Sequence, residues 1–258
     1  MRILPRGGKL VDTLVEEGYA DLRDVPAERL TKEPHLRVWR ATTTGKVEIS
    51  PDGAAGLRAL PFPRFHLDFE TIQFPVPIWA GTRPYEQLPF QWSCHIETGN
   101  GLTHREFLDT EGNAPMRAFA ESLIATLGRV GPVLVYSSFE RTQLQALIAR
   151  YPDLATPLAA IVGRLFDLLP VTQATYYHPQ MKGSWSMKSV LPTIAPDLDY
   201  GRLGEVQDGG GAQVAYRELI HSATAPERRE LLVRALKDYC AQDTLGLVRV
   251  ARYLEGRS

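Results

Sequence analysis

The sequence predicts an α/β fold. Short apolar stretches of strand length recur in the middle of the chain, and amphipathic stretches with helical spacing lie between and after them. Two of the strand-like stretches, 90–97 and 102–108, flank a Thr-Gly-Asn-Gly turn and predict a β-hairpin. With 258 residues, 44% of them hydrophobic and 23% charged, the chain is long enough to bury a full core.

The first part of the chain predicts a small helical piece followed by a linker. Apolar residues repeat at helical spacing after Gly8, and the stretch 42–61 is polar and rich in Gly, Thr and Pro, with at most one short strand at 46–49. The apolar run that opens the mixed pattern begins near Phe62. We therefore expect a helical segment and linker over 1–61 and an α/β domain over 62–258.

Within that domain the elements alternate. The first strand is predicted at 63–69, before the hairpin. A helix is predicted at 116–127, after the hairpin, with Asn113 as a possible cap. A strand at 130–136 and a helix ending near Tyr151 come next. The remainder is predicted to be mostly helical with loops.

The end of the chain predicts one long helix. Thr224 begins a Thr-x-x-Glu pattern typical of a capping box, apolar residues then keep helical spacing up to Leu254, and Gly256 suits a C-terminal cap. The run 209–211 of three glycines lacks the Lys-Ser/Thr of a phosphate loop and is interpreted as a turn.

Composition excludes some classes of function. The formal net charge is −1, so nucleic-acid binding would need a local basic patch. The two cysteines, Cys94 and Cys240, form no CxxC pair, which favours a reducing compartment and argues against a cysteine zinc site. The sequence has neither a signal-peptide core nor an apolar run of membrane-spanning length. We expect a cytoplasmic protein without a membrane partner.

Four acidic residues stand where acids are not needed for stability. Asp68 and Glu70 alternate on the first strand, so both carboxylates project from one face. Asp243 lies on the apolar stripe of the last helix, one turn after Tyr239, where a bare carboxylate is costly unless it is paired or metal-bound. Glu140 follows a strand and opens a helix, although an acid in a first helical turn also complements the helix dipole.

Together these residues resemble the DEDD superfamily of 3′–5′ exonucleases, in its tyrosine branch. The pattern is D-x-E on the first strand, an acid after a later strand and Y-x-x-x-D on a late helix. The resemblance implies a ribonuclease H-like three-layer domain with a mixed central sheet. It also implies two Mg²⁺ or Mn²⁺ ions held by Asp68, Glu70, Glu140 and Asp243, with Tyr239 orienting the attacking water. The superfamily usually has Asp where this chain has Glu140.

A closer similarity is to an uncharacterised bacterial family, a domain of unknown function often found behind a RecB-like nuclease domain. The segments that carry it are 67–71, 84–91, 138–140, 183–188 and 239–244. The similarity implies that a RecB-like nuclease domain is a partner in the full-length protein.

Basic and aromatic residues suggest where a single strand of nucleic acid would bind. Lys182, Trp185 and Lys188 interleave in one loop, which suits phosphate contacts and base stacking, although a surface turn with a core-facing Trp fits equally well. Tyr85 is predicted to line the same cleft. A fifth acid, Asp167, is interpreted as a helix cap or salt-bridge partner in preference to a residue that supports the site.

The sequence supports three hypotheses. The first is a metal-dependent 3′–5′ exonuclease acting on single-stranded DNA or RNA. The second is a catalytically weak or inactive nucleic-acid-binding module of a larger nuclease, which the Glu140 departure favours slightly. The third is a different phosphodiester or nucleotide hydrolase that uses the same acids.

Overall fold

The structure is a computed structural model that describes residues 2–257. Within those residues it is an α/β fold with ten α-helices and seven strands. The helices are α1 (Gly8–Glu16), α2 (Glu33–Thr44), α3 (Ala55–Arg58), α4 (Met116–Leu127), α5 (Phe139–Arg150), α6 (Ala155–Val162), α7 (Leu168–Thr175), α8 (Met187–Ile194), α9 (Gly209–Leu219) and α10 (Pro226–Glu255). The strands are β1 (Glu48–Ile49), β2 (Arg64–Ile72), β3 (Leu88–Thr98), β4 (Gly101–Leu108), β5 (Val133–Val135), β6 (Leu165–Asp167) and β7 (Tyr176–Tyr177).

The chain divides into two compact units. Unit 1 consists of the chain up to Ala59, the segment Leu168–Asp197 and the residues from Arg249 onward. Unit 2 consists of Leu60–Asp167 and Leu198–Val248. Each unit is therefore built from segments that are distant in sequence.

This division differs from the predicted one. The expected boundary near residue 61 lies beside the first boundary of unit 1, but the predicted second domain, 62–258, contributes residues to both units. The reason is a long-range pairing within unit 1, where β1 and β7 align antiparallel. Arg37 adds a hydrogen bond of 2.8 Å to the carbonyl of Gln173, 136 positions away. Such pairings leave no local periodicity in the sequence.

Unit 2 is built around a mixed five-stranded sheet with strand order β4-β3-β2-β5-β6. Strands β2, β3 and β4 are antiparallel neighbours, and the predicted hairpin is confirmed as β3 and β4. Strands β5 and β6 run parallel to β2. Because parallel strands need crossover connections, the helices α4, α5 and α6 lie between these strands in the chain.

The two faces of β2 have different roles. Phe65, Leu67 and Phe69 are buried in the apolar core, where the Phe69 ring contacts Phe119 of α4 edge to face, with centroids 4.9 Å apart. The alternate residues, including Asp68 and Glu70, project from the opposite face. The strand therefore presents an apolar face to the core and a polar face to the site described below.

The predicted long helix is confirmed as α10, with 30 residues. Gly256 follows its last residue with φ +75°, as expected of a C-terminal cap. Just before the helix, the Thr224 hydroxyl donates to the carbonyl of Glu218, and the capping box stays a prediction. The 209–211 glycine run is not a turn. It forms the first turn of α9, where the Asp208 carboxylate accepts the Gly211 N–H at 2.7 Å.

None of the helices within residues 2–257 combines the length and the apolar character that a membrane crossing requires.

Candidate metal-binding site

The parallel half of the sheet brings distant acids to one edge. Strand β2 pairs with β5 through Phe65 and Val133, and β5 pairs with β6 through Val135 and Asp167. The C-terminal ends of these three strands therefore lie at the same edge. Functional groups of α/β folds are commonly placed at such an edge. The chain leaves β5 there and enters α5, whose second residue is Glu140.

Asp68 and Glu140 meet directly at this edge. Their carboxyl groups share a hydrogen bond, and Glu140 is only 2% exposed. Its Oε2 atom is buried without a hydrogen-bond partner among residues 2–257. Burial raises the pKa of Glu140 to about 8. Burial also raises the pKa of Asp68, with further contributions from Asp243, Glu140 and Glu70. Both shifts favour the protonated form of these carboxyl groups.

Helix α10 supplies the remaining predicted residues. Tyr239 and Asp243 stand one turn apart on α10, and the charge of Asp243 contributes to the raised pKa of both Asp68 and Tyr239. Burial, followed by Asp243 and Glu70, raises the pKa of the Tyr239 hydroxyl. The structure thus brings together Asp68, Glu70, Glu140 and Asp243, which we call the acid cluster, with Tyr239 beside it.

Two features that the sequence did not reveal surround Glu70. A register shift between Glu70 and Thr71 interrupts the pairing of β2 with β3, and such irregularities re-aim side chains near functional sites. The N-terminus of α9 lies next to the Glu70 carboxylate, because a Cβ placed on Gly209 would be 3.8 Å from Glu70 Oε2. The positive end of a helix stabilises a nearby carboxylate.

Tyr200 is a site residue that sequence analysis missed. Its hydroxyl donates a short hydrogen bond to Asp243 Oδ1, and its ring lies 6.1 Å from that of Tyr239. Burial, then the charge of Asp243, raises the pKa of the Tyr200 hydroxyl. The residue lies in an irregular segment before α9, where no periodic pattern marks a side chain as inward-facing. Asp243 is thus fixed by a neighbour from outside its own helix.

The turn between β5 and α5 holds Glu140 in place through an unusual backbone. Ser137 has φ +107°, which is uncommon for a residue with a side chain. Its N–H donates to Asp167 Oδ1 at 2.8 Å. Asp167 also contributes to the raised pKa of Glu140. Asp167 therefore binds the backbone of this turn, and its charge also affects Glu140 in the acid cluster.

A buried polar network ties α10 to the sheet close to Asp243. The Thr244 hydroxyl lies 2.8 Å from both Ser93 Oγ and His95 Nδ1. Ser93 Oγ also lies 2.8 Å from His104 Nε2. Nearer the start of the helix, the Gln91 side chain donates to the carbonyl of Leu236 at 2.9 Å. These bonds connect β3 and β4 to the part of α10 that carries the site.

The network predicts that the protein loses stability in mild acid. Burial, then the neighbouring His104, lowers the pKa of His95 from 6.5 to about 4. The unfolded chain takes up this proton as the pH falls below 6.5, whereas the folded state does so only near pH 4. The stability that neutral His95 contributes is therefore fully present above pH 6.5. As the pH falls from 6.5 to 4, the free energy of unfolding drops by up to about 3 kcal/mol.

Urea unfolding of the wild type and of His95→Gln across this pH range tests the prediction. The difference between their free energies of unfolding should shrink as the pH falls. His221→Gln, at an exposed histidine of the same unit, serves as the control. Parallel curves for the wild type and His95→Gln would contradict the prediction.

The predicted nucleic-acid loop belongs to unit 1, whereas the residues of the acid cluster belong to unit 2. Trp185 is 5% exposed, and its indole N–H donates to the carbonyl of Tyr176 at 2.9 Å. A buried ring offers no face to a base, so the stacking role predicted for Trp185 is wrong and the core-facing alternative describes it. Lys182 and Lys188 are exposed, and their role in binding stays a prediction.

Gly183 explains part of that loop. It has φ +82°, and a Cβ at this position would lie 1.6 Å from the carbonyl oxygen of Ile3. Its N–H donates to the Tyr177 hydroxyl at 2.8 Å. The glycine in this loop is therefore required by close packing within unit 1, which is a structural role.

Tyr85 is the predicted substrate-binding residue that unit 2 does expose. Its side chain is 67% exposed, and its backbone has φ +57°. The flanking residues attach its loop to α5: Glu86 binds Arg150 at 2.6 Å, and Gln87 accepts a hydrogen bond of 2.9 Å from Gln143. The exposed ring is thus carried on a loop fixed to the helix that begins with the acid Glu140.

Comparison with known proteins gives a partial match to a family model and no activity. Residues 65–186 match a family model described as a domain of unknown function (DUF2779). The match covers the strands and turns that carry Asp68, Glu70 and Glu140, and it ends before α10. No curated protein matches the chain. No solved structure matches it either.

Proposed function

We propose that the acid cluster binds two divalent metal ions, Mg²⁺ or Mn²⁺, and that the protein is a 3′–5′ exonuclease acting on single-stranded DNA or RNA. The observation that carries the proposal is the meeting of Asp68 and Glu140. The half-buried carboxyl group of Asp68 meets the buried one of Glu140, whose Oε2 atom has no hydrogen-bond partner among residues 2–257. Burying such an oxygen is costly unless something binds to it.

The donor set fits hard divalent cations. The neighbours whose charges raise the pKa of Asp68 are all carboxylates, namely Asp243, Glu140 and Glu70. Such a group repels itself in the absence of a cation and supplies the oxygen ligands that Mg²⁺ and Mn²⁺ prefer. Asp68, whose pKa the other three acids all raise, would help to hold both ions. Glu70 and Asp243 would complete one position, and Glu140 would complete the other.

Two ions in such a site neutralise the carboxylates, polarise a phosphate and lower the pKa of a bound water. The tyrosines then have positional roles. Tyr239 keeps its proton because its pKa is raised, so its hydroxyl can donate to a water or a phosphate oxygen. Tyr200 holds Asp243 by donating to Oδ1. The exposed ring of Tyr85 could stack on a base near the end of the strand.

The mixed sheet supports the ribonuclease H-like part of the proposal. The antiparallel hairpin extends one side of β2, and parallel strands with helical connections extend the other. The acids of the D-x-E motif lie on β2, between the two halves of the sheet. This is the mixed central sheet that the resemblance to DEDD exonucleases implies.

An oligonucleotide assay tests the function. Single-stranded DNA and RNA labelled at the 5′ end should be shortened stepwise from the 3′ end when Mn²⁺ or Mg²⁺ is added. Asp243→Ala should lower the rate by about 100-fold or more, because a ligand that serves catalysis is worth several kcal/mol. Asp238→Ala, at an exposed acid five positions earlier on α10, should leave the rate unchanged.

Failure of the wild type to shorten any DNA or RNA with either metal would overturn the exonuclease proposal. Mononucleotides and cyclic dinucleotides, tested beside the oligonucleotides, separate the alternative in which the same acids hydrolyse a smaller phosphodiester.

A further inference from the structure

A cysteine lies inside the acid cluster. Within residues 2–257, one group of three His, Cys, Asp or Glu side chains has ligand atoms that all lie within 4.8 Å of one another. It consists of Asp68, Glu70 and Cys240. Cys240 is fully buried. It follows Tyr239 and precedes Asp243 by three positions, so α10 directs it to the same side of the helix as Asp243. Its sulfur therefore lies beside the position that a cation bound to Asp68 and Glu70 would take.

A second observation at the same place points to a ligand. Glu140, 2% exposed, directs its carboxyl group to Asp68, and its Oε2 atom is buried without a partner among the described residues. The site therefore has an unsatisfied oxygen beside Asp68. A cation held by Asp68 and Glu140 would satisfy it, next to the cation that Asp68 and Glu70 would hold beside the thiol.

The surroundings of the sulfur fit a metal ligand better than a free nucleophile. Cys240 is buried, and its sulfur lies beside the carboxylates of Asp68 and Glu70. A reactive cysteine needs an electropositive and accessible environment, which this one lacks. A divalent cation supplies the missing positive charge, and a coordinating thiol is deprotonated outright.

We propose that Cys240 is a sulfur ligand of the cation held by Asp68 and Glu70, and that this position takes a transition-metal ion such as Mn²⁺, Co²⁺ or Zn²⁺ in preference to Mg²⁺. The inference rests on the proposed metal site and refines the choice of ion. When the metal–sulfur bond forms, the thiol proton is released to solvent. Thiolate is a ligand for the softer divalent ions, whereas Mg²⁺ keeps to oxygen. The sulfur thus modifies the prediction from sequence, in which the absence of a cysteine cluster argued against a zinc site.

Titration of the full chain with Co²⁺ tests the inference without reference to activity. Bound Co²⁺ with a thiolate ligand shows a sulfur-to-cobalt charge-transfer absorption in the near ultraviolet, in addition to its visible bands. We expect this absorption in the wild type and in Cys94→Ser. Cys94 is the matched control, because it is a buried free cysteine whose register partner on β2 is Leu67, on the opposite face from Asp68.

Cys240→Ser and Cys240→Ala should lose the charge-transfer absorption. Their affinity for Zn²⁺ should fall by at least roughly tenfold, a loss that even an indirect partner of a metal ligand can cause. Their affinity for Mg²⁺ should change little. Two variants are used because either alone could disturb folding, which circular dichroism and thermal unfolding report.

A wild type that binds Co²⁺ without the absorption would overturn the inference, as would absorption that persists in the variants or an absence of Co²⁺ binding. The test is separable from that of the nuclease proposal. A sulfur-ligated cobalt site in a protein that degrades no oligonucleotide keeps the inference and rejects the nuclease. Degradation of oligonucleotides with Mg²⁺ by a protein without sulfur ligation keeps the nuclease proposal and rejects the inference.

Discussion

Asp68→Asn should lower metal-dependent nuclease activity by about 1000-fold or more, the equivalent of about 4 kcal/mol of lost transition-state stabilisation. Asp68 stands at the centre of the acid cluster, where it bonds to Glu140 and is affected by the charges of Glu70 and Asp243. An amide of the same shape cannot supply the charge that two cations require. The rate of shortening of a 5′-labelled oligonucleotide in Mn²⁺ measures the loss.

The same variant should be at least as stable as the wild type when metal is absent. Asn removes one charge from a group of four carboxylates that repel one another, and its amide can still donate to Glu140. Metal should raise the wild-type melting temperature by about 5–10 °C at 100 times the dissociation constant, and the variant's hardly at all. A variant that loses activity together with metal-free stability would indicate a folding role instead.

Glu140→Gln should reduce activity by about 100-fold or more, and Glu140→Asp by about tenfold. Glutamine keeps the shape of the side chain but loses the charge that would hold the second ion. Aspartate keeps the charge, yet it withdraws the carboxyl group by one methylene from Asp68, at a cost of about 1 kcal/mol in packing. Steady-state rates at saturating Mn²⁺ compare the two variants.

The matched control addresses the possibility that Glu140 only complements a helix dipole. Glu227 and Glu140 are both acids in the first turn of a helix, α10 and α5 respectively. Glu227 is exposed, whereas Glu140 is buried. Glu227→Gln should cost a few tenths of a kcal/mol in stability and leave activity unchanged. If Glu140→Gln behaved like Glu227→Gln, the second ion would lose its ligand, and the alternative of a nucleic-acid-binding module would gain support.

Sequence patterns predicted the elements that carry the site. Asp68 and Glu70 could be placed on one face because the side-chain period of a strand is two residues. Tyr239 and Asp243 could be placed together because one helical turn separates them. The position of Glu140 followed from its place at a strand-to-helix junction. Each of these predictions uses a local period, which the sequence shows directly.

The features that sequence patterns did not reveal depend on contacts between distant segments. Tyr200 reaches Asp243 from an irregular segment, and three glycines that resemble a turn begin α9 because Asp208 caps it. Cys240 looked like an ordinary core residue until the sheet placed its sulfur beside two carboxylates. Trp185 was ambiguous for the same reason, since only tertiary packing decides whether an aromatic ring faces solvent or core.

The strained turn at Ser137 has a consequence for attempts to make this protein more robust. A residue with a side chain at φ +107° costs of order 1 kcal/mol or more, which glycine would largely recover. Directed evolution for heat resistance would favour that exchange, whereas selection for turnover would favour whatever keeps Glu140 aligned with Asp68. Selection for heat resistance and selection for turnover would therefore favour different residues at position 137. Ser137 therefore marks a position where thermal robustness and catalytic fitness compete within one peptide unit.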